Sequence, residues 1–261
     1  MTRPLVAGAA VLAASLLVAL LVLPVGTLLG ATGAGGIARA LGDAQLLAAL
    51  ALTAACATAA TLLAVAGGTP LAWLLARRSF RGRTLLEAAL ELPLVVPHPV
   101  IGLALLVALA PATPLGRALA TTGLEVVGTP LGIVAAMVAV SAPLYVTGAR
   151  EAIARVDVRL EGVARTLGDD PWRAVRRVTL PAARRGLVAS AVAMWARATS
   201  EFGAIVLVAY HPKVASVLAY DRFTTYGLRE ALPVAAVLVL ASFGVLVLVQ
   251  VTRAPRRGFT P

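Results

Sequence analysis

Six long apolar runs govern what this chain can fold into: Leu5–Leu29, Leu46–Ala76, Leu92–Ala110, Val126–Ala149, Leu187–Tyr210 and Ala231–Val251. Each is near or above the ~20 residues that carry an α-helix across ~30 Å of hydrocarbon. In lipid every backbone polar group must be satisfied internally, which leaves helices or closed barrels. Barrel strands alternate polar and apolar residues; these runs are continuous. Composition agrees. Of 261 residues 60% are hydrophobic and only 13% charged, with a mean hydropathy of +0.91, against about 25% charged in ordinary soluble domains. The expected fold class is all-α integral membrane with six transmembrane helices. The first run is longer than the apolar stretch of a signal peptide and no clear small-x-small site closes it, so it is read as an uncleaved first helix.

Two runs contain helix breakers. Gly67, Gly68 and Pro70 give the second run a place to tilt or kink. The third contains LPLVVPHPV, with Pro93, Pro97 and Pro99 around His98. Proline removes a backbone donor and clashes one turn back. This run is expected to be broken, and broken backbone at membrane depth is tolerated only against protein or a watery cavity. The stretch is therefore a candidate lining of a pathway. His98 itself has two readings, a packing or carbonyl-satisfying group and a relay or gate.

A net charge of +11 with a pI near 11.4 invites a nucleic-acid reading, but the charge follows membrane sidedness. One side of the six runs collects 17 Lys and Arg residues, in segments 1–4, 77–83, 150–185 and 252–261. The other holds five, Arg39, Arg117, Lys213, Arg222 and Arg229. The positive-inside rule puts the rich side, and both termini, in the cytoplasm. The basic excess then reflects orientation in a cell membrane, not nucleic acid.

Little in the chain points to chemistry. Cys56 is the single cysteine and lies in an apolar run as a packing residue. Two histidines and one cysteine, far apart, make no metal site. GxxxxGK[ST], GxSxG and HExxH are absent, so the chain is expected to bind no cofactor and to catalyse no reaction of its own. No solenoid repeat is visible.

The most charged stretch is EGVARTLGDDPWRAVRRVTLP, residues 161 to 181, between runs four and five. Val158 to Leu167 reads as a helix with Val158, Val163 and Leu167 near one face. Gly168 stops it, Asp169 and Asp170 are cap residues, and Pro171 suits a first helical position. A second short helix starts at Trp172 and is expected to end at Pro181. It offers Trp172 and Val175 as apolar contacts and Arg173, Arg176 and Arg177 as charges. Such helices either lie in the lipid headgroups or are gripped by a partner.

Gly168, nine residues, then Val178-Thr-Leu-Pro181 resembles the EAA loop of ABC importer permeases, with matches at Ala164, Gly168, Val178, Leu180 and Pro181. The motif's glutamate falls on Gly162, with Glu161 one residue early, so no role is carried over for it. The resemblance implies a type I importer permease core over 46–251, following a first helix and outer loop at 1–45 and preceding a basic cytoplasmic tail at 252–261. Within it, 150–186 would be the cytoplasmic coupling loop. Ala164, Gly168, Asp169, Asp170, Pro171, Trp172, Arg173, Val175, Arg176, Leu180 and Pro181 would serve coupling. It also implies partners: a second copy of the chain, two cytoplasmic ATP-binding subunits that hold ATP and Mg, and an external binding protein.

Three further stretches concern cargo. WARATSEFGA at 195–204 and RRSFRGRTLLEAALELPLVVPHPVIGLALL at 77–106 are similar to segments of the sulfate, molybdate and tungstate permeases. AYHPKVASVLAYDRFTTYGLREALPVAAVLVL at 209–240 looks most like the tungstate/molybdate branch. The resemblance implies import of tungstate or molybdate, with sulfate or thiosulfate as the rival. A self-sufficient secondary transporter should show broken helices paired between sequence halves, and only one proline-broken run is seen. Arg197 and Glu201 are one helical turn apart in run five. They read either as a structural ion pair or as a pair lining the pathway of a dianion, with the carboxylate keeping binding weak enough for release.

Overall fold

The computed structural model describes residues 3–253, with side chains for 8–247. Of the basic tail at 252–261, only Thr252 and Arg253 fall among the described residues. Twelve α-helices account for most of the described chain, and no strand is present among the described residues. They are α1 (Arg3–Leu41), α2 (Ala44–Arg77), α3 (Arg83–Val95), α4 (His98–Leu109), α5 (Pro114–Thr121), α6 (Pro130–Ala154), α7 (Val158–Thr166), α8 (Pro171–Ala174), α9 (Leu180–Thr199), α10 (Ile205–Val208), α11 (Ala215–Tyr226) and α12 (Leu228–Arg253). A π turn at Val175–Thr179 joins α8 to α9.

The chain forms two compact units. In the first, residues 1–48 and 218–261, α1 packs against α12. Val11, Leu12, Leu16, Leu17 and Leu20 on α1 are exposed, as fits an apolar face turned to lipid. Past the first apolar run the chain is helical on both sides of a kink at Gly33, which is itself non-helical at φ +63°. Arg222 pairs with Asp43, whose Oδ1 accepts the Gln45 amide at 2.8 Å and so caps the start of α2.

In the second unit, residues 49–217, the core is built on α6. Ile133, Ala136, Met137, Val140, Val146, Ala149 and Ile153 are buried at helical spacing. Small residues on α2, Ala57, Ala60, Ala64 and Ala72, are buried too and allow close helix approach, the usual packing device between helices in lipid. Cys56 is buried as a packing residue. α2 continues unbroken through Pro70, with Thr69 Oγ1 and Tyr145 Oη 2.6 Å apart across to α6. α9 lies along α6.

Among the described residues, four helices are long and apolar enough to cross a membrane, and the α3–α4 pair, bent by 115°, makes a fifth candidate. The proline-rich run is broken as expected, at Val96–Pro97, with Pro93 inside α3 and not at the break. Pro97 and Pro99 flank the first turn of α4, where a missing N–H costs least. The fifth run departs from its expected form. It is not one helix: α9 stops at Thr199, residues 200–204 are irregular, and α10 follows.

Pro181 also departs from expectation. It does not end the second loop helix. It sits in the first turn of α9, and α8, the π turn and α9 form one unbroken helical rod. The Leu180 amide bonds back five residues, to Val175. This wider turn gives a residue without a donor a place in the helix.

Candidate functional site

Two constellations, both in the unit of residues 49–217, carry the unusual polar groups. The first is the basic loop. α7 starts at Asp157, whose side chain accepts the Arg159 amide at 2.9 Å. It ends before Gly168, which takes φ +98°, a conformation L side chains rarely adopt. Asp170 caps α8 by accepting the Arg173 amide at 2.9 Å, with Pro171 next to it. That backbone hydrogen bond, helped by the charge of Arg173, holds the Asp170 carboxyl below its usual range. Asp169 pairs with Arg177 at 3.0 Å.

The loop has an inner and an outer face. Ala164, Ala174, Val175 and Thr179 are buried. Val175, expected as a contact for a partner, is buried within the chain, at the start of the π turn that packs against α7. Leu180 is half-buried and Pro181 exposed. Outward face Trp172, 52% exposed, and Leu167, 84% exposed. A hollow of about 430 Å³ is lined by Asp170, Trp172, Arg173, Arg176 and Arg177. Val158 and Val163 are exposed as well.

Glu161, to which the sequence assigns no role, fixes the loop. Its Oε1 accepts from Arg77 Nε at 2.9 Å and from the Thr179 hydroxyl at 2.6 Å. Arg77 Nη2 also donates to the Val156 carbonyl at 2.8 Å. The pair is nearly buried, with 9% and 13% of the side chains exposed. It ties the end of α2 to the α6–α7 turn, to α7 and to the π turn. Arg77 lies 84 positions from Glu161, so no local pattern marks the pair.

The second constellation joins the two irregular breaks. Arg197 and Glu201 do pair, at 3.2 Å. They do so across the C-terminal end of α9 and not in mid-helix, since Ser200 is the C-cap and Glu201 lies beyond it. Glu201 is wholly buried; its Oε1 accepts the Ala204 amide at 2.9 Å, and the Ser216 hydroxyl donates to its carbonyl at 2.8 Å. His98, at the other break, brings Nδ1 to 3.2 Å from Glu201 Oε2. Arg197 Nη2 stands 2.9 and 2.8 Å from the two His98 ring nitrogens. Sequence named all three residues but did not join the histidine to the pair.

Two glycines permit this meeting. A Cβ on Gly203 would stand 3.1 Å from His98 Cβ and from Pro99 Cδ, and one on Gly102 would stand 2.8 Å from the Ala204 carbonyl oxygen. A larger residue at Gly102 would force the Ala204 backbone away from α4, and one at Gly203 would crowd His98 and Pro99.

Helices of membrane-crossing length, a capped basic helix pair and a charged cluster at two broken segments are the features of a membrane transport subunit. Residues 68–257 match the binding-protein-dependent transport system inner membrane component family, and the chain belongs to that family. Among its relatives, the molybdate/tungstate transport system permease protein WtpB of Thermococcus kodakarensis is 42% identical over 194 residues, 74% of this chain and 73% of that protein. The probable molybdenum ABC transporter permease protein of Haloferax volcanii is 39% identical over 243 residues, 93% of this chain and 89% of that one. In fold, the chain resembles a crystal structure of a bacterial ABC transporter that imports the acidic polysaccharide alginate. The TM-score is 0.70 at 19% identity, covering 92% of this chain and 91% of that one.

Proposed function

We propose that this chain is the permease of an ATP-driven importer that moves molybdate or tungstate into the cell by alternating access. It crosses the membrane six times, with the α9–α10 segment and its break as the fifth crossing and both termini cytoplasmic, and it works as a homodimer. Two ATP-binding subunits grip the 150–186 loops, and an external binding protein delivers the anion. ATP and Mg belong to those subunits; this chain holds neither.

The observation that carries this reading is the unbroken rod from Pro171 to Thr199, roughly 40 Å long at 1.5 Å per residue. Its outer end presents Trp172, Arg173 and Arg176; its inner end carries Arg197. A rigid rod transmits a push that a flexible loop would absorb, and the Arg77–Glu161–Thr179 clamp holds the gripped end to the rest of the loop. Leu167, Trp172 and the arginines give a partner both apolar and cationic contacts. The cargo follows from the two named relatives, whose printed names give molybdate, tungstate or molybdenum.

The test is uptake of labelled molybdate and tungstate by vesicles holding the reconstituted complex, with sulfate as competitor. The expected result is ATP-dependent accumulation of both, little affected by sulfate. Accumulation of sulfate in preference to either would refute the cargo, and accumulation without ATP would refute the mechanism.

A further inference from the structure

The charged cluster at the two breaks has an orientation. Glu201 is 0% exposed in its side chain, whereas Arg197 and His98 keep 30% and 34%. Arg197 and His98 therefore face an open side and the carboxylate stands behind them. The helices beside them, α4 and α10, carry no Asp, Glu, Lys or Arg. A part-exposed guanidinium among such apolar elements faces water or an anion, because facing hydrocarbon is costly.

The cluster is also incompletely bonded. Glu201 Oε2 is buried and makes no aligned hydrogen bond, although Arg197 and His98 both lie within 3.2 Å. Arg197 uses Nη1 on the Ser200 hydroxyl and Nη2 on His98 and Glu201. A guanidinium has five N–H donors, so donors remain. A purely structural ion pair would be expected to satisfy the buried oxygen and to bury the arginine with it.

We propose that Arg197 and His98 form a transit site for the oxyanion, with Glu201 as its buried positioning residue. The proposal rests on the oxyanion reading above. The planar guanidinium presents paired N–H groups to a tetrahedral dianion's oxygens. His98, reaching in from the other break, holds the guanidinium toward the open side. Glu201, in contact behind Arg197 at 3.2 Å, offsets its charge, so the anion meets directional donors without a deep electrostatic trap. Passage needs that combination, since a site must be weak enough to leave. The site also explains why two breaks meet: motion of the α9 rod relative to α4 separates His98 from Arg197 and dismantles it.

The experiment measures oxyanions moved per ATP hydrolysed by reconstituted complex with loaded binding protein, normalised to assembled complex. Arg197→Lys keeps the charge but loses the fork of donors. His98→Gln keeps polarity at a part-exposed position and leaves the core alone. Both are expected to lower molybdate and tungstate moved per ATP at least tenfold while stimulated hydrolysis persists. Arg197→Met with Glu201→Gln, which leaves no unpaired buried charge, is expected to assemble and to transport poorly. A wild-type ratio in His98→Gln together with either Arg197 variant overturns the site. Should Arg197→Lys not assemble, a wild-type ratio in His98→Gln alone overturns it. A wild-type complex that moves neither oxyanion would instead refute the cargo reading.

Discussion

Replacing Arg77 by methionine leaves the Glu161 carboxylate nearly buried with only the Thr179 hydroxyl for company. Removing one partner of a buried pair costs about 3–5 kcal/mol. Each kcal/mol moves the midpoint of a chain this size by about 2–4 °C, so Tm of Arg77→Met should fall by about 6 °C or more. Thr179→Val removes one hydrogen bond to a charged acceptor, about 1.5–3 kcal/mol, and should fall less. Glu161→Gln combined with Arg77→Met restores a neutral contact and should recover part of the loss. The coupling between the two sites should exceed about 1 kcal/mol. Thermal unfolding of detergent-solubilised protein, followed by helical circular dichroism, measures these three variants and Glu161→Gln alone, which closes the cycle. Coupling below about 0.5 kcal/mol would refute the clamp, and with it the claim that the loop is held rigidly to α2.

In a background where Cys56 is replaced, a cysteine at Arg173 should react with an impermeant reagent only in inverted vesicles; reaction from outside intact cells would overturn the topology. Gly168→Val should uncouple hydrolysis from the binding protein, because a β-branched residue resists φ near +98°. Space around that position is open, so the cost is backbone strain alone, and Gly168→Ala should be the milder variant; wild-type stimulated hydrolysis and uptake in Gly168→Val would count against the loop's role. Asp43 is held below the usual carboxylate range chiefly by the hydrogen bond from Arg222. The stabilisation is present above the ordinary value near 4 and fades as pH falls through the lowered one, so Asp43→Asn should show a flatter acid limb in a Tm–pH profile.

What the sequence made legible was local. Gly168, Asp170 and Pro171 act through bonds that span a few residues, and each sits in the structure where its chemistry places it. Pro97 and Pro99 marked the break for the same reason. Pro181 misled, because a proline's effect depends on the bonding pattern it enters, and a wider turn was available. The Arg197–Glu201 spacing signalled a pair but not its position at a helix end. That end is imposed by contacts of residues 201–204 with α4, about 100 positions earlier. His98 and Glu161 were out of reach for the same reason: their partners lie 99 and 84 positions away.

The π turn sets an azimuth. Each residue in an α-helix advances the chain by about 100° around the axis and 1.5 Å along it, and a π turn holds one residue more than the α-turn it replaces. Deleting Val178, the one residue of this turn that is neither buried, nor in the clamp, nor lining the basic hollow, would therefore index the two ends of the rod against each other by roughly a quarter turn. Trp172, Arg173 and Arg176 would then point to a different compass bearing relative to Arg197. A chain altered in this way would keep Trp172, Arg173 and Arg176, and still present them to the wrong side of the proposed partner.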